Sequence, residues 1–392
     1  MGKFLQIGGI RTSTLSRPVW ICLGIWLLLS SLSVLKTGQS KHISAHQPTE
    51  RWALDFGTGC PLDPAIQTPN TNTEAKLARP LSAAELLCRP LPSNLSSVPK
   101  LLHQSWKNNE LPLKFEKWST VCREKHHDWE WVLWTNEDNL NLVKKYFPWL
   151  EETYLELPGE IYRADLSRNL YMYMFGGVYI DLDTDCLRPT SAAFEAFDIP
   201  NAENTTAGTD DKHANQFAVF GRMGTDESFE NSIPNAWMAS SPGHPFFLMP
   251  ALSVRTRVAK TKSFIYWLFH KTLPEEWTGP AALYRAILDF NTNGLSDEAA
   301  ALAAVGPFAS QAKETKQEIV LLPSHWIYPY NWREKELRSI CSVEAETFDA
   351  KACQEWLEVD KKGSISITYW SHTHDNKNGN AKNIDNISHK YT

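Results

Sequence analysis

Gly176-Gly177-Val178-Tyr179-Ile180-Asp181-Leu182-Asp183-Thr184-Asp185 is the stretch on which the reading of this chain turns. Two glycines end a helix-like run, an extended apolar segment follows, and acids recur at alternate positions. Side chains alternate faces along a strand, so Val178, Ile180 and Leu182 point one way and Tyr179, Asp181 and Asp183 the other. Two carboxylates then lie side by side at the end of a buried strand, where like charges repel unless a cation sits between them. A divalent metal gripping a phosphate-bearing ligand accounts for that pairing, and a solvated acidic turn is the alternative.

Working outward, residues 161–174 read as a helix opened after Pro158-Gly159 and closed at Gly176 or Gly177. Leu166, Leu170, Tyr173 and Met174 give it an apolar stripe. Asp165 and Arg168 are three apart and share a face. They are either an ordinary intrahelical ion pair or a second polar set reaching the acidic strand end. Short apolar strands alternate with helical runs from Val98 onward: strands at Leu101-Leu102, Trp131–Trp134 and 178–183, helices at Phe115–Glu124 and Asn139–Tyr146. That alternation predicts an α/β domain with a mostly parallel sheet, which binds nucleotides at the carboxyl ends of its strands.

The pattern Arg163-Ala164-Asp165-Leu166-Ser167-Arg168, a short helix, then Gly-Gly-x-Tyr-x-Asp-x-Asp resembles glycosyltransferase family 32. That family holds fungal Golgi α-mannosyltransferases and mannosyl-inositol-phosphoceramide synthases, and its core pattern is shared with large glucosylating bacterial toxins. Leu101-Leu102-His103-Gln104-Ser105-Trp106-Lys107, Trp131-Val132-Leu133-Trp134-Thr135, Pro242-Gly243-His244-Pro245-Phe246 and Thr278-Gly279-Pro280 resemble further landmarks, in order.

The resemblance implies a GT-A type fold and a retaining sugar transfer assisted by Mn²⁺ or Mg²⁺ held by Asp181 and Asp183. It implies that Asp165 and Arg168 hold the donor sugar and diphosphate, with Arg168 also neutralising leaving-group charge. Tyr179 and Asn235 join that donor set; Asn235 opens the segment Asn235–Ser240, which resembles the wall of the sugar and acceptor pocket. His244, Thr278 and Gly279 would shape the same pocket. Trp106 either stacks on the donor nucleobase or packs in the core, and His103 is either a core histidine or a nucleotide donor. Near the C-terminus, Trp370-Ser371-His372-Thr373-His374 follows a strand-like run. Enzymes of this fold often close the metal site with a late residue, which makes His372 a metal candidate. The family's usual order is a histidine followed later by Ser-Trp, so the match departs here. The donor expected from the resemblance is GDP-mannose, with UDP-sugars as rivals. The acceptor expected is a glycan, with inositol phosphoceramide or another glycolipid as the alternative. A sugar-binding protein that kept the fold and lost turnover is the alternative of another class.

The rest of the chain bounds its setting. A net charge of −6 with no basic tract excludes nucleic acid as the expected partner. Residues 1–18 carry Lys3, Arg11 and Arg17 and no acid, and Val19–Leu35 is an apolar run. This predicts an uncleaved single-pass type II anchor in the Golgi membrane, with residues 1–18 a cytosolic tail and the rest lumenal. Recurrent prolines from Pro48 to Pro92 predict a stem over 36–97, with a short helix at Ser82–Leu87. The catalytic domain is expected over 98–375 and a polar tail over 376–392. Asn94, Asn204 and Asn386 head N-glycosylation triplets. Among the cysteines, Cys341 with Cys353 and Cys60 with Cys88 are the expected local pairs, and no Cys-x-x-Cys suggests zinc.

Overall fold

The computed structural model describes residues 77–201, 215–262, 273–310 and 315–371. The expected anchor, the 36–76 part of the stem, His372 and the C-terminal tail lie outside them. Among the described residues no helix is long and apolar enough to cross a membrane.

The core is a seven-stranded sheet of β1 (Arg79–Pro80), β2 (Leu101–Ser105), β3 (Glu130–Trp134), β4 (Gly177–Ile180), β6 (Gln216–Gly221), β7 (Trp237–Ser240) and β8 (Gln317–Leu322). Its order is β1-β3-β2-β4-β7-β6-β8. β1, β3, β2 and β4 run parallel, β7 is antiparallel to both β4 and β6, and β8 returns parallel to β6. The sheet is thus mixed and mostly parallel, as expected. A separate two-stranded ribbon pairs β5 (Thr184–Cys186) with β9 (Ser366–Thr368). The stem boundary needs correction. Arg79 and Pro80 pair with β3, Ser82 caps helix α1 (Ala83–Cys88), and Leu81, Leu86, Leu87 and Leu95 are buried. Residues 77–97 are therefore part of the folded unit.

The expected helices form as α2 (Leu113–Lys125), α3 (Asn136–Tyr146) and α4 (Glu160–Phe175). Thr135 starts α3 with a capping box completed by Asp138. α4 differs from the amphipathic helix expected: residues 165–175 are all buried, because the helix is covered on every side. It ends at Gly176, with φ of 64°. A Cβ there would lie 2.7 Å from the Ser240 carbonyl oxygen, and one on Gly177, with φ of 86°, would strike the Leu101 carbonyl. Both glycines are needed to turn α4 directly into the central strand. Gly177→Ala is expected to cost well over ~1 kcal/mol, read as a lowered denaturant midpoint.

His103 sits at this corner. Its Nδ1 accepts from the Trp134 indole (3.0 Å), which leaves Nε2–H to donate to the Gly176 carbonyl (2.9 Å). Burial pulls its pKa down to about 4, so the ring is neutral and structural. The core reading of His103 holds. Two disulfides tie the far side of the sheet: the expected Cys341–Cys353, and Cys122–Cys186, which joins α2 to β5. Cys88 is also disulfide-bonded; the Cys60 half of that expectation lies outside the described residues.

Candidate active site

The acidic pair sits where expected, at the carboxyl end of β4, but not on a strand. β4 stops at Ile180, and the Thr184 amide donates to the Asp181 carbonyl (3.1 Å), so Asp181-Leu182-Asp183 is a tight turn into β5. The alternation holds for one pair. The Tyr179 hydroxyl donates to Asp181 Oδ1 at 2.6 Å, so those side chains do share a face. The Asp181 amide donates to the Ala236 carbonyl (2.8 Å), which ties the turn to the segment before β7.

Arg168 on α4 reaches under this turn. Its Nη1 lies 3.3 Å from Asp181 Oδ1 and donates to the Asn235 carbonyl at 2.7 Å, while Nη2 lies 3.1 Å from Asp165 Oδ1. The guanidinium also packs over the Tyr179 ring, 4.5 Å from its centroid. Asn235 Nδ2 donates to Asp165 Oδ1 (2.9 Å), and Thr278 Oγ1 lies 3.4 Å from Asp165 Oδ2. Gly279 caps helix α5 (Pro280–Asn293), and a Cβ there would come within 3.3 Å of Asp165 Oδ2. Asp165, Tyr179, Asp181 and Asn235 thus converge on one arginine, and Thr278 and Gly279 join them through Asp165.

The electrostatics are asymmetric. Burial disfavours the Arg168 charge, but Asp181, Tyr179 and Asp165 more than offset it, and the guanidinium stays charged. Burial pushes the Asp181 carboxyl up to about 7, with Arg168 opposing and Asp183 adding to the rise. Asp181 keeps a 28% exposed side chain, so its carboxylate faces the open edge.

Asp183 is held from the C-terminal side. Ser371 donates to its Oδ2 from both the backbone amide (2.7 Å) and the hydroxyl (2.9 Å). Trp370 turns the chain for this contact in the left-handed region, at φ of 53°, which a bulky residue adopts rarely. Its indole is anchored to the Tyr330 carbonyl (3.3 Å) and packs edge-on against Trp332. Tyr328, buried between the Trp237 amide and the Pro234 carbonyl, lies close enough to feel the charges of Asp181, Arg168 and Asp183. Sequence reasoning assigned no role to Ser371 or Tyr328. Ser371 stood within the stretch singled out near the C-terminus, but nothing local marks it as a partner of an acid 188 residues away.

Trp106 follows β2 at the same edge. β2 pairs with β4 at His103 and Tyr179, which puts the ends of both strands at one edge of the sheet. Its ring is half-buried and edge-on to Phe115 (5.2 Å), and among the described residues its buried Nε1 has no hydrogen-bond partner. Asp185 is paired off, accepting from Gln354 at 3.0 Å.

His244 does not join the site. It is fully buried among Phe246, Phe247 and Phe290, its Nδ1 accepts from the Phe246 amide, and burial pulls its pKa down to about 3. The expected pocket role for His244 is therefore corrected to a core helix cap.

The family described as "Glycosyltransferase sugar-binding region containing DXD motif" matches residues 112–204. "Inositol phosphoceramide mannosyltransferase 3" of Schizosaccharomyces pombe is 40% identical over 93 residues, 24% of this chain and 26% of its own length. "Inositol phosphoceramide mannosyltransferase 2" of the same yeast is 28% identical over 186 residues, 47% of this chain and 45% of its own. "Mannosyl phosphorylinositol ceramide synthase CSH1" of Saccharomyces cerevisiae is 29% identical over 158 residues, 40% of this chain and 35% of its own. The chain thus covers less than half the length of each of these relatives. The solved "PaToxG Glycosyltransferase" aligns with 55% of this chain and 79% of its own at a TM-score of 0.33 and 16% identity, a likeness too slight to carry the fold. The stretch that matches, residues 112–204, runs from the cap of α2 past both aspartates of the turn, and it resembles the sugar-binding region of DXD-containing glycosyltransferases.

Proposed function

We propose that this chain is a retaining, metal-dependent glycosyltransferase of the GT-A type. It moves mannose from GDP-mannose to a hydroxyl of inositol phosphoceramide or a kindred glycolipid. The observation that carries the reading is Arg168 held between Asp165 and Asp181 at the carboxyl edge of the sheet. The donor sugar and the acceptor follow the relatives: five carry inositol phosphoceramide mannosylation, or synthesis of its mannosylated product, in their names. Those names move the acceptor from the glycan expected above to a glycolipid. A Golgi membrane location, with the domain lumenal, fits an acceptor of that kind.

Asp181 and Asp183 suit a hard divalent ion. Their donors are carboxylate oxygens, and a carboxyl pushed toward neutrality by burial and a neighbouring acid is relieved by a cation. When bound, Mn²⁺ or Mg²⁺ supplies Lewis-acid stabilisation of the departing diphosphate. The protein does the remainder. Arg168, pinned on three sides, presents a fixed positive charge that needs no reorganisation as negative charge develops on the leaving group. Asp165, with Thr278 and the bare Cα of Gly279 beside Oδ2, offers an acceptor to the donor's sugar hydroxyls. Trp106 offers a ring face to the base. The acceptor hydroxyl gives its proton to the departing diphosphate oxygen on the same face, so no enzyme nucleophile is required.

The test is transfer by the full chain from GDP-mannose to inositol phosphoceramide, run in parallel with UDP-sugars and with a chelator. Transfer from GDP-mannose, lost in the chelator, restored by Mn²⁺ and proceeding with anomeric retention, is the expected result. Turnover that persists in the chelator contradicts it. Donor binding without hydrolysis or transfer would mark a sugar-binding protein instead. Ser371→Ala, which leaves the backbone amide on Asp183, is expected to raise the Mn²⁺ concentration for half-activation about 10- to 100-fold.

A further inference from the structure

Lys114 is the second residue of α2, and the residue is 5% exposed. A lysine buried this deeply is ordinarily closed by a carboxylate. Among the described residues none lies within ion-pair distance of this one, and no hydrogen-bond acceptor meets it. Its ammonium instead lies between two ring faces, 5.4 Å from the centroid of Phe115 and 5.5 Å from that of Trp118.

The wall that carries it belongs to the acidic turn. Trp118 packs against Tyr369 (5.3 Å), and the Tyr369 amide donates to the Asp183 carbonyl (3.1 Å). Burial lowers the Lys114 pKa to about 8, and the acids whose charge holds it up are Asp183 and Glu344. α2 opens at Pro112 with no side-chain cap, and the acid in its first turn is Glu116. Because α2 follows β2, that end lies at the carboxyl edge of the sheet. Among the described residues the Lys114 ammonium meets two rings and has no anion in contact with it.

We propose that Lys114 contacts a phosphate of a nucleoside diphosphate on the Asp183 side of the turn, as Arg168 guards the Asp181 side. The inference rests on the nucleotide-sugar reading of the site and adds a second cation to it. Lys114 then reads the diphosphate and leaves the base to other groups.

The experiment is equilibrium binding of GDP and of guanosine to the full chain, with Mn²⁺ present, for the wild type, Lys114→Met and Lys114→Arg. Methionine keeps the length and the ring contacts, and Lys114→Gln takes its place if the methionine variant does not fold. Charge-assisted contacts to phosphate are strong, so Lys114→Met is expected to weaken GDP binding about 10-fold or more while guanosine binding holds. Lys114→Arg should recover most of the loss. Two outcomes overturn the proposal: unchanged GDP binding in a folded Lys114→Met variant, or equal loss of GDP and guanosine. A wild type that binds neither GDP nor UDP is a different failure, because it removes the nucleotide site itself.

Discussion

Asp181→Asn is expected to lower transfer by about 10²-fold or more while leaving the protein at least as stable as before. The two effects have one cause. Asparagine keeps the shape of the side chain and an oxygen for the Tyr179 hydroxyl, but it removes the charge that a divalent ion and the departing diphosphate require. Loss of one preorganised electrostatic group of this kind lowers kcat by about 10²- to 10³-fold. For stability the sign runs the other way. The Asp181 carboxyl is raised from 3.8 to about 7, mainly by burial, so in the ion-free protein the folded state holds a proton that the unfolded state releases. Between those two values stability falls as pH rises, and above about 7 the cost is complete. Asparagine carries no such cost. At pH 8 without divalent ion, thermal melting of Asp181→Asn should match or exceed that of the wild type. Below pH 4 the two should converge.

Arg168→Met is expected to fail in the opposite way, through the fold as well as the chemistry. Arg168 and Asp165 have side chains only 6% and 8% exposed, and the same guanidinium also satisfies the Asn235 carbonyl. Removing it leaves a buried carboxylate without its cation, which costs about 3–5 kcal/mol. Denaturant midpoint and melting temperature should both drop sharply. Arg168→Lys separates the roles. It keeps the charge but cannot span Asp165, Asp181 and the Asn235 carbonyl from one ammonium. Stability should recover in part, while kcat stays down by about 10²-fold or more, because the fixed positive charge no longer faces the diphosphate.

Much of this site could be read along the chain, for local reasons. α4 is bracketed by Pro158-Gly159 and by Gly176-Gly177, and the backbone needs glycine at the second pair, so its limits follow from these residues. The three-residue spacing of Asp165 and Arg168 places them on one helix face, and the ion pair forms there. What the sequence concealed was non-local. Alternation along the chain carries no warning that β4 ends at Ile180, because the turn is closed by the Thr184 amide and by β5 pairing with β9 from the far end of the chain. The Cys122–Cys186 bridge joins residues 64 apart, against the local pairing that held for Cys341 and Cys353. His244 lies in a landmark that signals the fold, and only its phenylalanine neighbours reveal that the imidazole faces the core. Nothing along the chain sets Lys114 apart from the exposed Lys117 and Lys125 of the same helix; only the fold shows that it is buried.

The account stands on a cation held between Asp181 and Asp183 that grips a nucleotide's phosphates. Calorimetric titration of GDP-mannose into the full chain, stripped of metal and then supplied with Mn²⁺, addresses it with least intervening inference. Binding that appears or tightens markedly with Mn²⁺, and that Asp181→Asn eliminates, is the expected result. Affinity indifferent to Mn²⁺, or unchanged in Asp181→Asn, contradicts it.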